Sequence, residues 1–296
     1  MKIIKNNQTI KRVIGLSVII ILGFGIYLIL SGTGKALLRI TELVPLGSYS
    51  LSVRDYGKGE PTVIIEAGLA VKKLSYYDLQ YEIAKKTRVI AYDHAGIGDS
   101  TVSPNPRTLP YYVQELRTLL KHKNITPPYI LIGHSLGGHI IRYYTYQYPD
   151  EVAGLIFLDH PHEDWFRYVR ENWSAEEKEQ YFKRWDHEIT SPSQVGSIEV
   201  TQYDNNNDLI RGKKIPADIP VLMFTGRNLG HFRKHEAGIA EDTRWWTDAQ
   251  SSLLDGVNNA RHVVDVELEH FPHEAKPKTV QKEVNLFIDA IIEQRL

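Results

Sequence analysis

Gly133-His134-Ser135-Leu136-Gly137 lies between an apolar run, Tyr129–Ile132, and an amphipathic run, Leu136–Tyr148. A G-x-S-x-G at a strand-to-helix junction is the pattern of a nucleophile elbow. There the serine takes up strained backbone geometry and its hydroxyl stands out at the top of a sheet. Gly133 and Gly137 have no Cβ, which lets strand and helix approach closely at the turn. The backbone N–H of Leu136 then points to where a substrate oxyanion would form. A pentapeptide with three defined positions is a short pattern, so its meaning rests on what surrounds it.

Working outward, apolar strand-like runs alternate with helical spacing. Tyr49–Tyr56 alternates apolar and polar residues and ends at Gly57-Lys58-Gly59, which predicts a strand and hairpin. Val63–Glu66, Arg88–Tyr92, Leu155–Leu158, Val221–Thr225 and His262–Leu268 are further expected strands. Helical spacing covers Tyr76–Lys86, the stretch from Pro110 to about His122, a region around Trp245–Leu254, and about Lys278 to Gln294. This rhythm predicts an α/β fold with a mostly parallel sheet and helices on both faces. It is interrupted at about 160–219, where Trp165–Arg170 and Ala175–Trp185 are charged amphipathic segments and Asp204–Asp208 is a polar loop. The interruption is expected to be a helical cap inserted into the sheet.

A serine hydroxyl needs a general base, and a histidine base needs an acid to hold its tautomer. On a strand–elbow–helix scaffold the chain order is Ser, then Asp or Glu, then His. His270 follows the last expected strand and precedes the last helix, so it lies at the same sheet edge as the elbow and is the expected base. His273 is the fallback, and His262 sits at the wrong end of its strand. Asp159, at the carboxyl end of Leu155–Leu158, is the expected acid. Glu163, Asp164 and Glu236 are its alternatives, because the loop from Gly226 to His231 carries no carboxylate. Gly68 permits close backbone approach after Val63–Glu66, making the N–H of Leu69 the expected second oxyanion donor beside that of Leu136.

From about Tyr49 onward the chain resembles the α/β-hydrolase superfamily with a serine nucleophile. The resemblance rests on Glu66-Ala67-Gly68-Leu69, on Asp93 to Ser100, on Pro128 to Gly138, on Gly154 to Asp159 and on His270, in that order and spacing. It implies a triad of serine, acid and late histidine, with a cap shaping the pocket. Two positions depart from the common pattern. Ala67 stands where many members have His before the oxyanion glycine, and the acid is absent from its commoner late position, as in members that place it one strand earlier. Relatives that open epoxides or displace halide carry Asp at the elbow. Ser135 therefore points to acyl transfer to water: ester, thioester or lactone cleavage through an acyl-enzyme. An amidase, peptidase or acyltransferase on the same triad is the alternative, as is a catalytically inactive binding module of the same fold.

The chain has 296 residues, 42% hydrophobic and 24% charged, with a formal net charge of −1 and no cysteine. This composition suits a globular domain, provides no basic footprint for nucleic acid, and excludes disulfides and thiolate chemistry. The proposed chemistry needs no cofactor. Val13–Leu30 is uncharged and as a helix would run about 27 Å, close to the thickness of a bilayer core. Lys2, Lys5, Lys11 and Arg12 precede it. The expected layout is a cytoplasmic 1–12, a single membrane-spanning helix 13–30, a linker 31–48 and an extracytoplasmic catalytic domain 49–296. A cleaved signal peptide with secretion is the competing expectation. His160, His162 and Glu163 have metal-like spacing but are expected to line the pocket or face solvent. The aromatic group of Trp165, Phe166, Tyr168, Trp173, Tyr181, Phe182 and Trp185 is expected to form the cap core. Part of it could face a hydrophobic, lipid-like acyl substrate.

Overall fold

A computed structural model describes residues 41–190, 199, 202–227, 233 and 235–294, with the side chains of 186–190 left aside. The expected membrane segment 13–30 and its flanks lie outside the described residues, as does 228–232 of the loop after the seventh strand. Among the described residues no helix is long and apolar enough to cross a membrane.

Eight strands form one sheet: β1 (Glu42–Pro45), β2 (Ser50–Tyr56), β3 (Val63–Glu66), β4 (Val89–Tyr92), β5 (Tyr129–His134), β6 (Val152–Leu158), β7 (Val221–Gly226) and β8 (Ala260–Asp265). Their order across the sheet is β1-β2-β4-β3-β5-β6-β7-β8. β2 pairs antiparallel with both β1 and β4, and every pairing from β4 through β8 is parallel. The hairpin expected after Tyr56 therefore does not join β2 to β3. β3 has parallel partners on both sides, and the hairpin is made instead by β1, inside the expected linker.

The elbow strand β5 is central and buried along its whole length. Alternate residues of a strand face opposite sides, and they feed two separate cores. Tyr129 and Leu131 pack with the helices Leu109–His122 (α2) and Leu136–Gln147 (α3). Ile130 and Ile132 pack with Tyr77–Ile83 (α1) and Pro277–Glu293 (α9) on the other face. Burial of each such aliphatic side chain contributes about 1.5–3 kcal/mol, so the strand that aims the serine is among the most firmly held.

Between β6 and β7 lie Trp165–Asn172 (α4), Ala175–Thr190 (α5) and Tyr203–Ile210 (α6). The helix α6 replaces the polar loop expected at 204–208. One of its asparagines binds the core: Asn206 Oδ1 accepts the Leu109 N–H at 2.8 Å, at the start of α2, and its Nδ2 donates to the Arg107 carbonyl. The helix Glu236–Ser252 (α7) starts well before the expected Trp245, with the His235 ring accepting the Gly238 N–H as its cap. A short helix Pro272–Ala275 (α8) follows β8 before α9.

Candidate active site

The elbow forms as its residue types require. Ser135 has φ +50° and ψ −120°, a left-handed backbone that costs a non-glycine residue about 1–3 kcal/mol. That strain persists because the turn is clamped on both sides. Gly137 is packed so closely on the Glu66 and Ala67 carbonyls that no Cβ could fit. A Cβ on Gly68 would lie 2.7 Å from His134 Nδ1 and 3.2 Å from Ser135 Cβ, so the β3 exit loop rests directly on the serine. The Ser135 N–H bonds the Leu158 carbonyl at 3.4 Å, which places the elbow next to the end of β6.

Asp159 follows Leu158 there. It is fully buried, has φ +44°, and donates its N–H to the Phe224 carbonyl at 2.9 Å. Asp159 Oδ2 meets His270 Nδ1 at 2.8 Å. Its Oδ1 accepts the Gly226 N–H at 3.1 Å and the Trp246 Nε1–H at 3.2 Å. Every group facing this carboxylate in these bonds is a donor, so the pairing fixes the His270 proton on Nδ1 and leaves Nε2 as the acceptor nitrogen. His270 is partly exposed, with 31% of its side chain accessible.

The other candidates lie elsewhere. His273 is stacked on Tyr76 at 4.6 Å with its Nε2 3.3 Å from Ser75 Oγ, and burial with the nearby His270 lowers its pKa to about 3. Glu163 is buried against Arg142 at 2.6 Å; burial works against its charge, but the guanidinium brings its pKa down to about 2. Asp164 pairs with Arg167 and Arg211, and Glu236 opens α7. His160 is buried with Nε2 3.2 Å from Arg142, and the His162 ring accepts the Asp164 N–H. His139 packs between the rings of His160 and Tyr203.

Around Leu69 the neighbouring N–H groups are engaged. Gly68 donates to the Tyr76 hydroxyl at 3.1 Å, Ala70 to Glu199 Oε2 at 2.9 Å, and Val71 to the Gly68 carbonyl. Leu136 is the first residue of α3, where an N–H has no partner within its own helix. Glu199, from the stretch between β6 and β7, also accepts the Tyr112 hydroxyl and lies 3.5 Å from His94. His94 Nε2 is 3.1 Å from Glu66. Burial alone would lower the His94 pKa, yet Glu199 and Glu66 together raise it to about 9.

Three groups that bear on the site have no strong signal along the chain. Trp246 reaches Asp159 from α7, and Trp165 of the cap core packs on it at 5.1 Å. Glu199 arrives from the far end of the cap, and Tyr76 from the turn Lys73–Tyr76 before α1. His134 alone is legible, as the second residue of the elbow pattern. A cleft of about 810 Å³ between α2 and α3 opens at the opposite end of β5 and holds none of these residues.

A family model described as the α/β hydrolase fold matches residues 61–184. The uncharacterized protein YqjL of Bacillus subtilis is 32% identical over 103 residues, covering 35% of this chain and 41% of that protein. The chain thus spans about two fifths of the length of the first curated relatives it matches. Two solved structures share the architecture. The epoxide hydrolase CorEH is 19% identical, with a TM-score of 0.60 over 85% of this chain and 99% of that one. A thermophilic esterase from Thermogutta terrifontis is 18% identical, with a TM-score of 0.56 over 85% and 99%. At such identity the likeness is one of fold, and a fold carries many reactions. The parallel sheet, the strained elbow after β5, the helices between β6 and β7 and the family match together give this chain the α/β-hydrolase fold.

Proposed function

We propose that the chain is a serine hydrolase cleaving a carboxylic ester-type bond, in an ester, thioester or lactone of a small-molecule or lipid-like acyl substrate. Ser135 Oγ attacks the carbonyl carbon while His270 Nε2 takes its proton. Asp159 holds the other ring nitrogen and stabilises the imidazolium. The N–H groups of Leu69 and Leu136 receive the oxyanion. The tetrahedral species collapses, the leaving oxygen or sulfur takes the proton from His270, and water hydrolyses the acyl-enzyme with His270 again as base.

The observation that carries this reading is the 2.8 Å bond between Asp159 and His270, with the remaining carboxylate oxygen filled by two donors. An acid buried and saturated in this way is placed to orient a base. A serine rather than an aspartate at the strained elbow favours acyl transfer over epoxide or halide displacement. A fluorophosphonate probe tests the reading: the wild type is expected to be labelled and Ser135→Ala is not. No labelling of the wild type, or equal labelling of both, would reject it. p-Nitrophenyl esters of rising chain length, set against peptide anilides, then separate esterase from amidase activity.

We also propose that residues 13–30 anchor the protein, with the hydrolase domain on the extracytoplasmic side. A reporter enzyme fused after residue 35 tests this, and activity of that reporter only in the cytoplasm would overturn it.

A further inference from the structure

His134, the residue before the nucleophile, is fully buried and hydrogen-bonded at both ring nitrogens. Its Nε2 lies 2.7 Å from the main-chain carbonyl of His270. Its Nδ1 lies 2.8 Å from the Tyr76 hydroxyl, which accepts the Gly68 N–H at 3.1 Å. The protons in this chain have one consistent arrangement. A carbonyl only accepts, so Nε2 carries the hydrogen. Tyr76 already accepts from Gly68, so its own O–H points to Nδ1. The ring is therefore neutral in the Nε2–H form. Burial, reinforced by His270 and His273 nearby, keeps its pKa well below the usual histidine value. Its ring is enclosed by those of His270, Phe271 and His273 at 4.6–5.5 Å.

Four loops from separate strands and turns meet through these three bonds. The Gly68 loop precedes the expected oxyanion donor Leu69, and His270 is the expected base. We propose that His134 is a positioning residue, locking the base loop and the oxyanion loop to each other through one imidazole and the Tyr76 hydroxyl. This rests on the serine-hydrolase reading. Its physical content is that the Gly68 loop and the His270 loop, far apart in sequence, are held in one register by a single neutral ring. Misplacement by about 1 Å costs about 100-fold in such a site, so the register bears directly on rate.

Two substitutions cut the relay at different bonds. In His134→Asn the amide oxygen sits near the Nδ1 position, keeps Tyr76 as a partner and loses the His270 carbonyl. In His134→Gln the amide nitrogen reaches the Nε2 position and keeps that carbonyl. His134→Asn is expected to lower kcat on p-nitrophenyl butyrate by about 10- to 100-fold with KM within about twofold. His134→Gln is expected to recover most of that loss. Tyr76→Phe leaves the Gly68 N–H without its acceptor and is expected to lower kcat with an unchanged pH profile. In the wild type, long-range proton–nitrogen NMR should show a protonated Nε2 and a bare Nδ1 on His134 from pH 5 to 9. An Nδ1–H form, a titration in that range, or His134→Asn labelled by fluorophosphonate at the wild-type rate overturns the relay. Equal losses in the Asn and Gln variants, each tracking its loss of thermal stability, also overturn it, as a packing role. Absence of labelling in the wild type rejects the hydrolase reading instead, and the NMR result then still decides the bonding of His134.

Discussion

Asp159→Asn tests the proposed chemistry through one proton. In the wild type, Oδ1 accepts from Gly226 N–H and Trp246 Nε1–H, and Oδ2 accepts from His270 Nδ1–H. An asparagine has one oxygen and one NH2 to put in these places. With its oxygen toward Gly226 and Trp246, it keeps two bonds and turns its NH2 toward His270. The reverse orientation sets NH2 against two donors, leaving both unsatisfied in a buried site at about 1–3 kcal/mol each. The first orientation wins, and it forces His270 Nδ1 to accept. The ring's proton then moves to Nε2, the nitrogen that must receive the Ser135 proton. The expected result is a loss of three to four orders of magnitude in the fluorophosphonate labelling rate, as a wrong-tautomer substitution in a serine triad produces. That corresponds to about 4–5.5 kcal/mol of transition-state stabilisation. Urea unfolding should change by no more than about 1 kcal/mol, since the Gly226 and Trp246 bonds persist. A variant that labels within about threefold of the wild type, with the same unfolding midpoint, refutes the argument and returns the acid role to another carboxylate.

Glu163→Gln separates that alternative. It leaves Arg142 buried without its counter-charge, so unfolding free energy should fall by about 3–5 kcal/mol while folded protein labels at close to the wild-type rate. A collapsed rate in a stable variant would name Glu163 as the acid. Gly68→Ala places a methyl against His134 and Ser135. It should cost about 1–3 kcal/mol in a urea titration and suppress labelling, and an unaffected enzyme would show that the β3 exit loop is freer than its packing indicates. His94 has a folded pKa of about 9 above its ordinary 6.5, so the protonated ring binds more tightly in the native state. The stability it supplies is complete below about pH 6.5 and is lost as pH rises toward 9. Thermal melts of the wild type should decline across that window more steeply than those of His94→Gln, and parallel curves would contradict the pairing with Glu66 and Glu199.

Much of the architecture is legible because the interior strands bear their burial in their composition. Ile130–Ile132, Leu155–Leu158 and Val221–Phe224 are continuous apolar runs, as strands covered on both faces must be. The errors fall where a local signal had a distant cause. Asn206 and Asn207 suggest a loop, yet α6 forms because Asn206 satisfies backbone groups at the start of α2. Gly57-Lys58-Gly59 suggests a hairpin, but the pairing of β2 with β4 depends on a strand more than thirty residues away.

For the site, the elbow, the late histidine and an acid at the end of β6 are matters of residue type and order, so Ser135, His270 and Asp159 are nameable from the chain alone. The sequence by itself determines that these three occupy the carboxyl ends of parallel strands, since hydrophobic periodicity sets the strands and the crossovers set their direction. It leaves open which of four carboxylates meets the histidine, because a separation of 2.8 Å between residues 111 apart depends on how β6 and β8 stack across β7. Only the tertiary structure decides that Asp159 has its second oxygen filled, that Glu163 is taken up by Arg142, and that His134 bridges the base loop to Gly68. Those outcomes turn on hydrogen-bond geometry at a few tenths of an ångström, which packing of the whole sheet sets and no stretch of sequence encodes locally.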